Sequence, residues 1–278
     1  MPSSYPRKRF AQHWLRSEKV LNQILSAGQI SPRDRILEIG PGTGILTQQL
    51  LTFAQSVIAV EIDRDLCQKL RQKYEKTDNF LLLERDVLSL NIAAELAQAD
   101  EKFQHPNKVV ANIPYNITGP ILEKLLGKIG QPAQNPYEAI VLLLQKEVGE
   151  RLVADPGSKA FGALSVRVQY LAECEYICPV PAKAFYPPPK VESAVVRLRP
   201  RRVETPAEDP RQLESLVKVG FANKRKMLRN NLKAIVDRDR LSQFLEQLEI
   251  NPQSRAEDLS VRDWVALSNL LTSHKLPL

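Results

Sequence analysis

The sequence predicts an α/β protein with a Rossmann-like, mostly parallel sheet whose final strand is antiparallel, followed by a small all-helical domain. Over the first two thirds of the chain, short apolar runs alternate with stretches of helical periodicity, which is typical of βαβ units. Residues 199–210 are rich in charge and proline, and beyond them every apolar stretch has helical spacing. We therefore expect a sheet domain at residues 1–203 and a helical domain at residues 204–278.

The predicted strands are short apolar runs separated by stretches with the period of a helix. The strand-like runs lie at residues 35–39, 56–60, 80–83, 108–111 and 139–144. The helical stretches lie at residues 43–53, 63–74 and 117–129. Two further strands, at residues 175–178 and 191–198, flank a proline-rich loop that is too short for a parallel crossover. We expect them to form an antiparallel pair at the end of the sheet.

Three groups of apolar residues with helical spacing predict the helices of the C-terminal domain. They are Leu213, Leu216 and Val217; Leu228, Leu232 and Ile235; and Trp264, Leu267, Leu270 and Leu271. Ser260 and Asp263 have the spacing of a capping box, so the last helix should begin just after Ser260.

The composition is that of a globular protein suited to a polyanionic partner. Of the 278 residues, 43% are hydrophobic and 26% are charged, so disorder is not expected. The formal net charge of +7 suits nucleic acid, although many basic proteins bind none. No apolar run approaches the ~20 residues that span a bilayer. The basic cluster of Arg7, Lys8 and Arg9 precedes a segment too polar for a signal peptide, so we expect a cytoplasmic protein without a membrane partner.

The cysteines and histidines do not form the pattern of a metal site or of a disulfide framework. Cys67, Cys174 and Cys178 contain no CxxC pair, and the three histidines lie far apart in the sequence. We predict three ordinary buried or half-buried thiols and no bound metal.

A glycine-rich turn follows the first predicted strand, in the sequence LEIGPGTG at residues 37–44. Gly40, Gly42 and Gly44 let the backbone approach a nucleotide-like ligand, although their spacing differs from that of pyrophosphate-binding turns. Glu61 ends the next strand about 20 residues further on, where an acid can bind ribose hydroxyls. Together these features predict an adenosine cofactor; the alternative is a tight turn beside a solvated glutamate.

Polar groups also follow the next two strands. Asp86 is placed to accept a hydrogen bond from the cofactor's adenine amine, or merely to cap a turn. The sequence NIPY at residues 112–115 puts an amide, a proline-fixed backbone and an aromatic ring where open α/β sheets bind ligands. Its alternative interpretation is an exposed turn, which the preceding glycine turn disfavours.

Five segments in the same order resemble one family of enzymes. The chain is similar, nearly end to end, to the KsgA-type family of small-subunit rRNA adenine dimethyltransferases, which itself resembles the Erm-type enzymes acting on large-subunit rRNA. The matching segments are RKRFAQHWL at residues 7–15, LEIGPGTG at 37–44, NIPY at 112–115, FYPPPKVES at 185–193 and FANKRKML at 221–228. The helical C-terminal domain with its basic segment favours the KsgA type.

The resemblance implies a class I methyltransferase sheet, S-adenosylmethionine as cofactor, and roles for individual residues. The residues implied in cofactor binding are His13, Leu15, Gly40, Gly42, Gly44, Glu61, Ile62, Asp86, Val87 and Asn112. The residues implied in catalysis, which hold the target adenine, are Asn112, Pro114, Tyr115 and Phe185. The amine would donate to the Asn112 side-chain oxygen and to the carbonyl of Ile113 or Pro114, while the Tyr115 ring stabilises the growing positive charge.

The resemblance also implies the reaction and its partners. The expected reaction is dimethylation of the exocyclic amine of two adjacent adenines near the 3′ end of 16S rRNA, with a role in small-subunit biogenesis. The expected partners are small-subunit rRNA and the immature small ribosomal subunit, and we expect a monomer. The target adenine must leave its stack to reach the site, which favours adenines in RNA loops and single strands as substrates.

A basic segment near residue 224 predicts an RNA-binding helix. Arg225, Arg229 and Lys233 recur every four residues and would form a stripe, with Lys224 and Lys226 beside it. The alternative is a solvated helix face.

Three other functions compete with this interpretation. They are an NAD-dependent dehydrogenase on a similar sheet, a non-catalytic RNA-binding assembly factor, and the same chemistry on DNA or on large-subunit rRNA. The glycine spacing and the lack of an obvious acid–base site disfavour the dehydrogenase, and the intact site motifs disfavour the non-catalytic factor.

Overall fold

A computed structural model describes residues 12–134, 136–201, 203 and 205–274 of the chain. The predicted basic cluster of Arg7, Lys8 and Arg9, and with it the start of the first family segment, lies outside these described residues.

Short and long strands and helices alternate along the described chain. The strands are β1 (Trp14–Leu15), β2 (Arg35–Ile39), β3 (Ser56–Glu61), β4 (Phe80–Glu84), β5 (Lys108–Asn112), β6 (Gly127–Lys128), β7 (Gln131–Pro132), β8 (Ala139–Gln145), β9 (Ala172–Val180), β10 (Phe185–Tyr186) and β11 (Ser193–Pro200). The helices are α1 (Glu18–Gly28), α2 (Ile45–Phe53), α3 (Arg64–Lys73), α4 (Ile92–Leu96), α5 (Thr118–Leu126), α6 (Lys146–Leu152), α7 (Ala163–Leu171), α8 (Pro210–Gly220), α9 (Leu228–Asn231), α10 (Arg238–Gln247) and α11 (Val261–Ser273).

Within the described ranges, seven strands form one sheet in the order β4-β3-β2-β5-β8-β11-β9. The five strands from β4 to β8 pair in parallel, and β11 runs antiparallel to β8. The central strands are buried on both faces, as the continuous apolar runs predict, with Leu37, Ile58 and Val109 fully enclosed. The predicted fold class, a mostly parallel sheet with an antiparallel final strand, is confirmed.

The strand order places a binding crevice at β2. From β2 the sheet extends through β3 in one direction and through β5 in the other. In open α/β sheets, ligands bind at the carboxyl ends of the strands beside such a reversal. The turns that follow β2, β3 and β5 are therefore the ones that build the site.

One predicted helix of the sheet region ends early. Helical spacing predicts a helix to residue 129, but α5 ends at Leu126. Gly127 has a φ of 80°, and its backbone lies against that of Gln131 and Pro132 as β6 and β7 form a tight hairpin. A side chain at Gly127 would collide with this hairpin, so the chain turns where glycine permits it.

The chain forms two compact units, and each unit is made of several separate segments of the sequence. The sheet unit contains the described residues up to 125, together with 136–149 and 175–200. The helical unit contains residues 126–134, 150–174 and the described residues from 201 onward. It includes α7, because α7 packs against α8 and α11. The compact units thus do not divide at a single point between residues 203 and 204, and the assignment of catalysis to 1–203 and of RNA binding to 204–278 stays a prediction.

The last helix begins as the sequence predicts. Ser260 Oγ accepts a hydrogen bond from Asp263 N (3.2 Å), and the Asp263 carboxylate accepts one from Ser260 N (2.8 Å), which completes the capping box. The fully buried Trp264 anchors α11 in the helical unit.

The predicted basic helix opening at Lys224 is wrong. Residues 221–226 form turns and a bend, Met227 forms a β-bridge with Arg255, and α9 spans only four residues, Leu228–Asn231. The Asn231 amide donates to the carbonyl of Gly220 at the end of α8 (2.6 Å) and to that of Asn223 in the turn that follows (3.0 Å), which ties α9 to the end of α8. Leu228 and Leu232 are fully buried as predicted, but Arg225, Arg229 and Lys233 do not recur along one helix.

Within the described part of the chain, no helix is long and apolar enough to cross a membrane.

Candidate active site

One cleft at the carboxyl ends of β2, β3 and β5 brings together most of the predicted site residues. The predicted residues that line it are His13, Leu15, Gly40, Gly42, Glu61, Ile62, Asp86, Val87, Asn112, Pro114 and Tyr115. Gly44 and Phe185 are not among the lining residues. All of the lining residues belong to the sheet unit.

The glycine turn follows β2 in a conformation that needs glycine. Gly40, Gly42 and Gly44 have φ values of 69°, 58° and 76°, a region that other residues rarely adopt. Gly40 N donates to Val60 O (2.9 Å), which ties the turn to β3. Gly44 has a structural task, because a side chain there would collide with Leu70 of α3 and with Tyr74 just after it.

Glu61 stands at the end of β3 and is nearly buried, with 7% of its surface exposed. Its carboxylate accepts hydrogen bonds from the backbone N–H groups of Gly42 (3.2 Å), Ile62 (2.9 Å) and Asp63 (3.0 Å). Burial nevertheless raises the pKa of the Glu61 carboxyl, since desolvation outweighs these three bonds. This acid joins the glycine turn to the next strand, and it is not the solvated glutamate of the alternative interpretation.

Glu38 is a site residue that sequence reasoning missed. It lies on β2, lines the same cleft and is 1% exposed. Thr47 donates a hydrogen bond from Oγ1 to the carboxylate at 2.7 Å, and burial raises the pKa of Glu38 to about 8. The signal was present in the sequence, because a glutamate inside the apolar run at residues 35–39 is costly to bury and therefore points to a function.

Asp86 and Val87 line the cleft beyond β4. The Asp86 side chain accepts a hydrogen bond from Leu88 N at 2.9 Å, which caps the turn. Asp86 is also exposed and faces the cleft, whereas Val87 is buried beside it. The turn-capping interpretation of Asp86 is therefore correct, and it leaves room for a ligand contact.

The segment from His13 to Arg16 is held in place by contacts to two distant parts of the chain. β1 pairs antiparallel with β10, and Arg16 N donates to Ala184 O at 2.8 Å. His13 donates from Nδ1 to Pro187 O (2.8 Å), while its own carbonyl accepts from Asn112 Nδ2 (3.1 Å). These bonds place His13, Trp14 and Leu15 along the wall of the cleft.

The NIPY sequence forms the end of β5 and the turn after it. Asn112 is the last residue of β5, and the Tyr115 hydroxyl lies 2.6 Å from Ser193 Oγ. The Tyr115 ring lies nearly parallel to the His13 ring, with 6.0 Å between centroids. Burial raises the pKa of the Tyr115 hydroxyl, so it stays neutral.

Phe185 does not reach the cleft in this structure. It pairs with Leu15 through β10 and β1, is 4% exposed, and belongs with Leu15 to one hydrophobic cluster of the core. A role in sandwiching the target base stays a prediction that would require this side chain to move.

The predicted RNA-binding residues lie in the helical unit and differ in their surroundings. Lys224 donates to Phe161 O at 2.7 Å and lies 3.8 Å from a Glu257 carboxylate oxygen. Arg225, Lys226 and Lys233 are exposed, whereas Arg229 is half-buried in α9. Lys224 therefore has a structural task that the other exposed cations do not share.

The three cysteines are free thiols that burial keeps protonated. Cys67 and Cys178 are buried and Cys174 is half-buried, and burial raises the pKa of each thiol, for Cys67 and Cys174 to about 12. Among the described residues, no group of three or more His, Cys, Asp or Glu side chains is placed to hold a metal ion.

The sheet order, the glycine turn and the polar NIPY turn define the class of Rossmann-like methyltransferases. The sequence profile of the family described as ribosomal RNA adenine dimethylase matches residues 4–273. The chain therefore belongs to the ribosomal RNA adenine dimethylase family, and it is an enzyme that transfers methyl groups.

Curated relatives are similar over almost their whole length. A protein named ribosomal RNA small subunit methyltransferase A from a Nostoc species is 67% identical over 96% of this chain and 98% of its own. One with the same name from a Synechocystis species is 56% identical over 98% of each chain.

Two solved structures share the fold. A dimethyladenosine transferase from Plasmodium falciparum has a TM-score of 0.77 and 26% identity, covering 95% of this chain and 99% of that one. The 23S rRNA methyltransferase ErmE has a TM-score of 0.72 and 26% identity, covering 93% and 99%.

Proposed function

We propose that this enzyme uses S-adenosylmethionine to dimethylate the exocyclic amine of two adjacent adenines near the 3′ end of 16S rRNA. The observation that carries the proposal is that the glycine turn, Glu61 and Asn112–Tyr115 line one cleft. The names of the relatives that are 56–67% identical favour the small-subunit substrate over the large-subunit one. We further propose that the chain acts as a cytoplasmic monomer on the immature small subunit.

The residues of the cleft fit the proposed cofactor. Gly40 and Gly42 line the cleft with backbone at the end of β2, and Glu61 lies beside them with carboxylate oxygens suited to ribose hydroxyls. Asp86 and Val87 present an acceptor and an apolar surface suited to adenine, while His13 and Leu15 form the facing wall. When bound, S-adenosylmethionine supplies an already activated methyl group.

Glu61→Ala should weaken S-adenosylmethionine binding by about 1–3 kcal/mol, the scale of removing a hydrogen bond to a charged acceptor. Titration calorimetry measures the change. Glu61→Gln is the matched variant, because it keeps one acceptor oxygen for the backbone of the glycine turn and should weaken binding less. Equal affinity of the parent and the alanine variant would remove Glu61 from the cofactor site.

Asn112 and Tyr115 are suited to present the target amine. The Asn112 amide is held through its nitrogen by the His13 carbonyl, which leaves its oxygen to accept a hydrogen bond from the adenine amine. The Tyr115 ring is fixed by its hydroxyl contact to Ser193, and an aromatic face stabilises positive charge that develops on a stacked base. The amine attacks while still carrying its protons, so the site needs no strong base.

Asn112→Ala should slow single-turnover methylation by at least about tenfold while cofactor affinity changes much less, because the missing interaction forms with the reacting amine. Rapid-quench assays with labelled methyl groups give the rate, and calorimetry gives the affinity. Asn22→Ala removes an exposed amide from α1, outside the cleft, and is the control. A near-normal rate for Asn112→Ala would mean that the NIPY turn is only structural.

The substrate is identified by labelled-methyl transfer to purified ribosomal particles, followed by nucleoside analysis. Dimethyladenosine in small-subunit RNA is the expected product. Labelled large-subunit RNA or DNA would overturn the proposed substrate. RNA binding without transfer of label to any RNA would indicate a non-catalytic assembly factor. Binding of NAD in place of S-adenosylmethionine would indicate a dehydrogenase.

A further inference from the structure

The short strands β1 and β10 form a ribbon whose two faces differ. In an antiparallel pair, directly opposed residues place their side chains on the same face, and consecutive residues place theirs on opposite faces. Leu15 and Phe185 are opposed, and both are buried in the hydrophobic core. Trp14 and Tyr186 form the other opposed pair, so their side chains share the face that points away from this core.

This outer face of the ribbon begins at the cleft. Trp14 lines the cleft, and a Cβ added to Gly42 of the glycine turn would stand 3.3 Å from its indole. Tyr186 is not a lining residue, but it lies opposite Trp14 and is 42% exposed. The carbonyl of the next residue, Pro187, accepts a hydrogen bond from His13 of the cleft wall at 2.8 Å. Tyr186 therefore stands at the rim of the cleft, with much of its ring open to solvent.

Arg16 extends the outer face beyond Tyr186. It follows β1 directly and continues the pairing, since its backbone N–H donates to Ala184 O at 2.8 Å. Its guanidinium carbon lies 4.1 Å from the centroid of the Tyr186 ring, which is the distance of a cation–π contact. Arg16 is exposed, and no carboxylate among the described residues pairs with it. An open aromatic ring and an unneutralised cation thus lie side by side; we call Arg16 and Tyr186 the rim pair.

The chemistry of the rim pair suits one nucleotide of a single-stranded RNA. Unpaired bases stack on aromatic rings and on guanidinium planes, and guanidinium groups bind phosphate oxygens. The proposed reaction takes one adenine out of its stack, so the base beside that adenine loses a stacking neighbour. An exposed ring at the rim of the same cleft can replace the lost neighbour.

We propose that the rim pair binds the nucleotide next to the target adenine, with its base stacked on the Tyr186 ring and its phosphate held by the Arg16 guanidinium. This inference rests on the proposed function, and it names a part of the RNA substrate that the sheet unit binds outside the reacting base. The stacking of Arg16 on Tyr186 holds the cation in place beside the ring, so base and phosphate are bound together.

The first test is steady-state methylation of purified small ribosomal subunits that lack dimethyladenosine. Tyr186→Leu keeps an apolar side chain but removes the ring, and it should lower kcat/KM for the subunits at least about fivefold. Cofactor affinity, measured by calorimetry, should stay within about twofold of the parent. Phe53→Leu is the matched control, because Phe53 is 47% exposed at the end of α2, outside the cleft lining, and this variant should behave as the parent. An unchanged kcat/KM for Tyr186→Leu would overturn the proposal.

Tyr186→Phe separates stacking from other roles of this residue. Bases stack on a phenyl ring as they do on a phenol, so Tyr186→Phe should restore most of the kcat/KM that Tyr186→Leu loses. If Tyr186→Phe is as slow as Tyr186→Leu, the ring face does not carry the effect and the proposal is overturned.

Arg16→Gln tests the phosphate contact through the dependence of subunit binding on salt. Filter binding should show a slope that is less steep by about 0.7, the value for one phosphate of a single strand that is no longer neutralised. Arg33→Gln removes the same charge from an exposed turn of the sheet unit, outside the cleft lining, and should keep the parent slope. Equal slopes for Arg16→Gln and Arg33→Gln would overturn the proposal, also where Tyr186→Leu has lost cofactor affinity through misfolding. Failure of the parent to methylate small subunits at all would instead overturn the proposed function.

Discussion

At the scale of single residues, the cleft holds two buried carboxyl groups on neighbouring strands. Glu38 on β2 and Glu61 on β3 both have raised pKa values, mainly because burial disfavours their charged forms, and the charge of Glu61 raises the pKa of Glu38 further. Thr47 of α2 and Lys73 of α3 favour the ionised form of Glu38 without reversing the shift. A positively charged cofactor bound in this cleft would favour the ionised forms of Glu38 and Glu61 and so lower their pKa values.

The pKa of about 8 at Glu38 predicts how the stability of the ligand-free protein depends on pH. Between the ordinary glutamate pKa and about 8, the folded protein keeps a proton on Glu38 that the unfolded chain has released. Stability therefore falls as pH rises through this window, by up to about 1.4 kcal/mol per pH unit from this group, and levels off above it. Glu38→Gln stays neutral and keeps an oxygen for Thr47, so its stability should fall less over the same range.

Urea unfolding of the parent and of Glu38→Gln, measured from pH 5 to pH 9, gives both curves. Glu75→Gln, which changes an exposed glutamate just after α3, is the control and should follow the parent. Glu61 is present in the parent and in both variants, so the difference between the curves reports mainly on Glu38. Parallel curves for the parent and Glu38→Gln would show that Glu38 is ionised in the folded protein.

At the scale of elements, the basic segment of the helical unit is a loop with two kinds of cation. Lys224 binds the Phe161 carbonyl and the Glu257 carboxylate, and its stem lies over Gly162. Arg225 and Lys226 are exposed on the same loop. The exposed pair is suited to RNA phosphates, whereas Lys224 holds the loop on the unit.

Replacing Arg225 and Lys226 with alanine should weaken binding to small ribosomal subunits. The dependence of the binding constant on salt should become less steep by about 0.7–0.9 for each phosphate that is no longer neutralised, because fewer counterions are released. Filter binding at several salt concentrations measures both effects, and cofactor affinity should not change.

The double variant Lys218→Ala with Arg238→Ala removes the same charge from exposed positions on α8 and α10 and is the matched control. Lys224→Ala, by comparison, should lower thermal stability. If the loop variant and the control bind subunits with the same affinity and salt slope, the loop is only a solvated surface.

At the scale of the whole molecule, the described residues form two compact units, for which we propose different tasks. The sheet unit contains the whole cleft, so we propose that the methyl transfer takes place there. The helical unit contains the basic loop, and we propose that it binds the ribosomal particle. This division explains why variants in the loop should change particle binding and leave the cofactor site intact.

The sequence alone was sufficient for the features that depend on neighbouring residues. Apolar runs predicted the strands of the sheet, the short proline-rich loop predicted the antiparallel final strand, and the spacing of Ser260 and Asp263 predicted the start of α11. Periodicity, loop length and capping are all local properties of the sequence. The spacing of the glycine turn, Glu61 and the NIPY sequence predicted a shared cleft, because the carboxyl ends of parallel strands meet at one edge.

Only the tertiary structure decided the features that depend on interactions between distant segments. Phe185 is buried where β10 pairs with β1 and does not line the cleft, and Gly44 packs against Leu70 and Tyr74 instead of lining it. The predicted basic helix is replaced by turns whose carbonyls, at Gly220 and Asn223, accept hydrogen bonds from the more distant Asn231. The burial that gives Glu38 its high pKa and the pairing that places Trp14 on Gly42 arise from strands and loops far apart in the chain. Periodicity describes the face a residue occupies on its own element, and it contains no information about which distant atoms will meet that face.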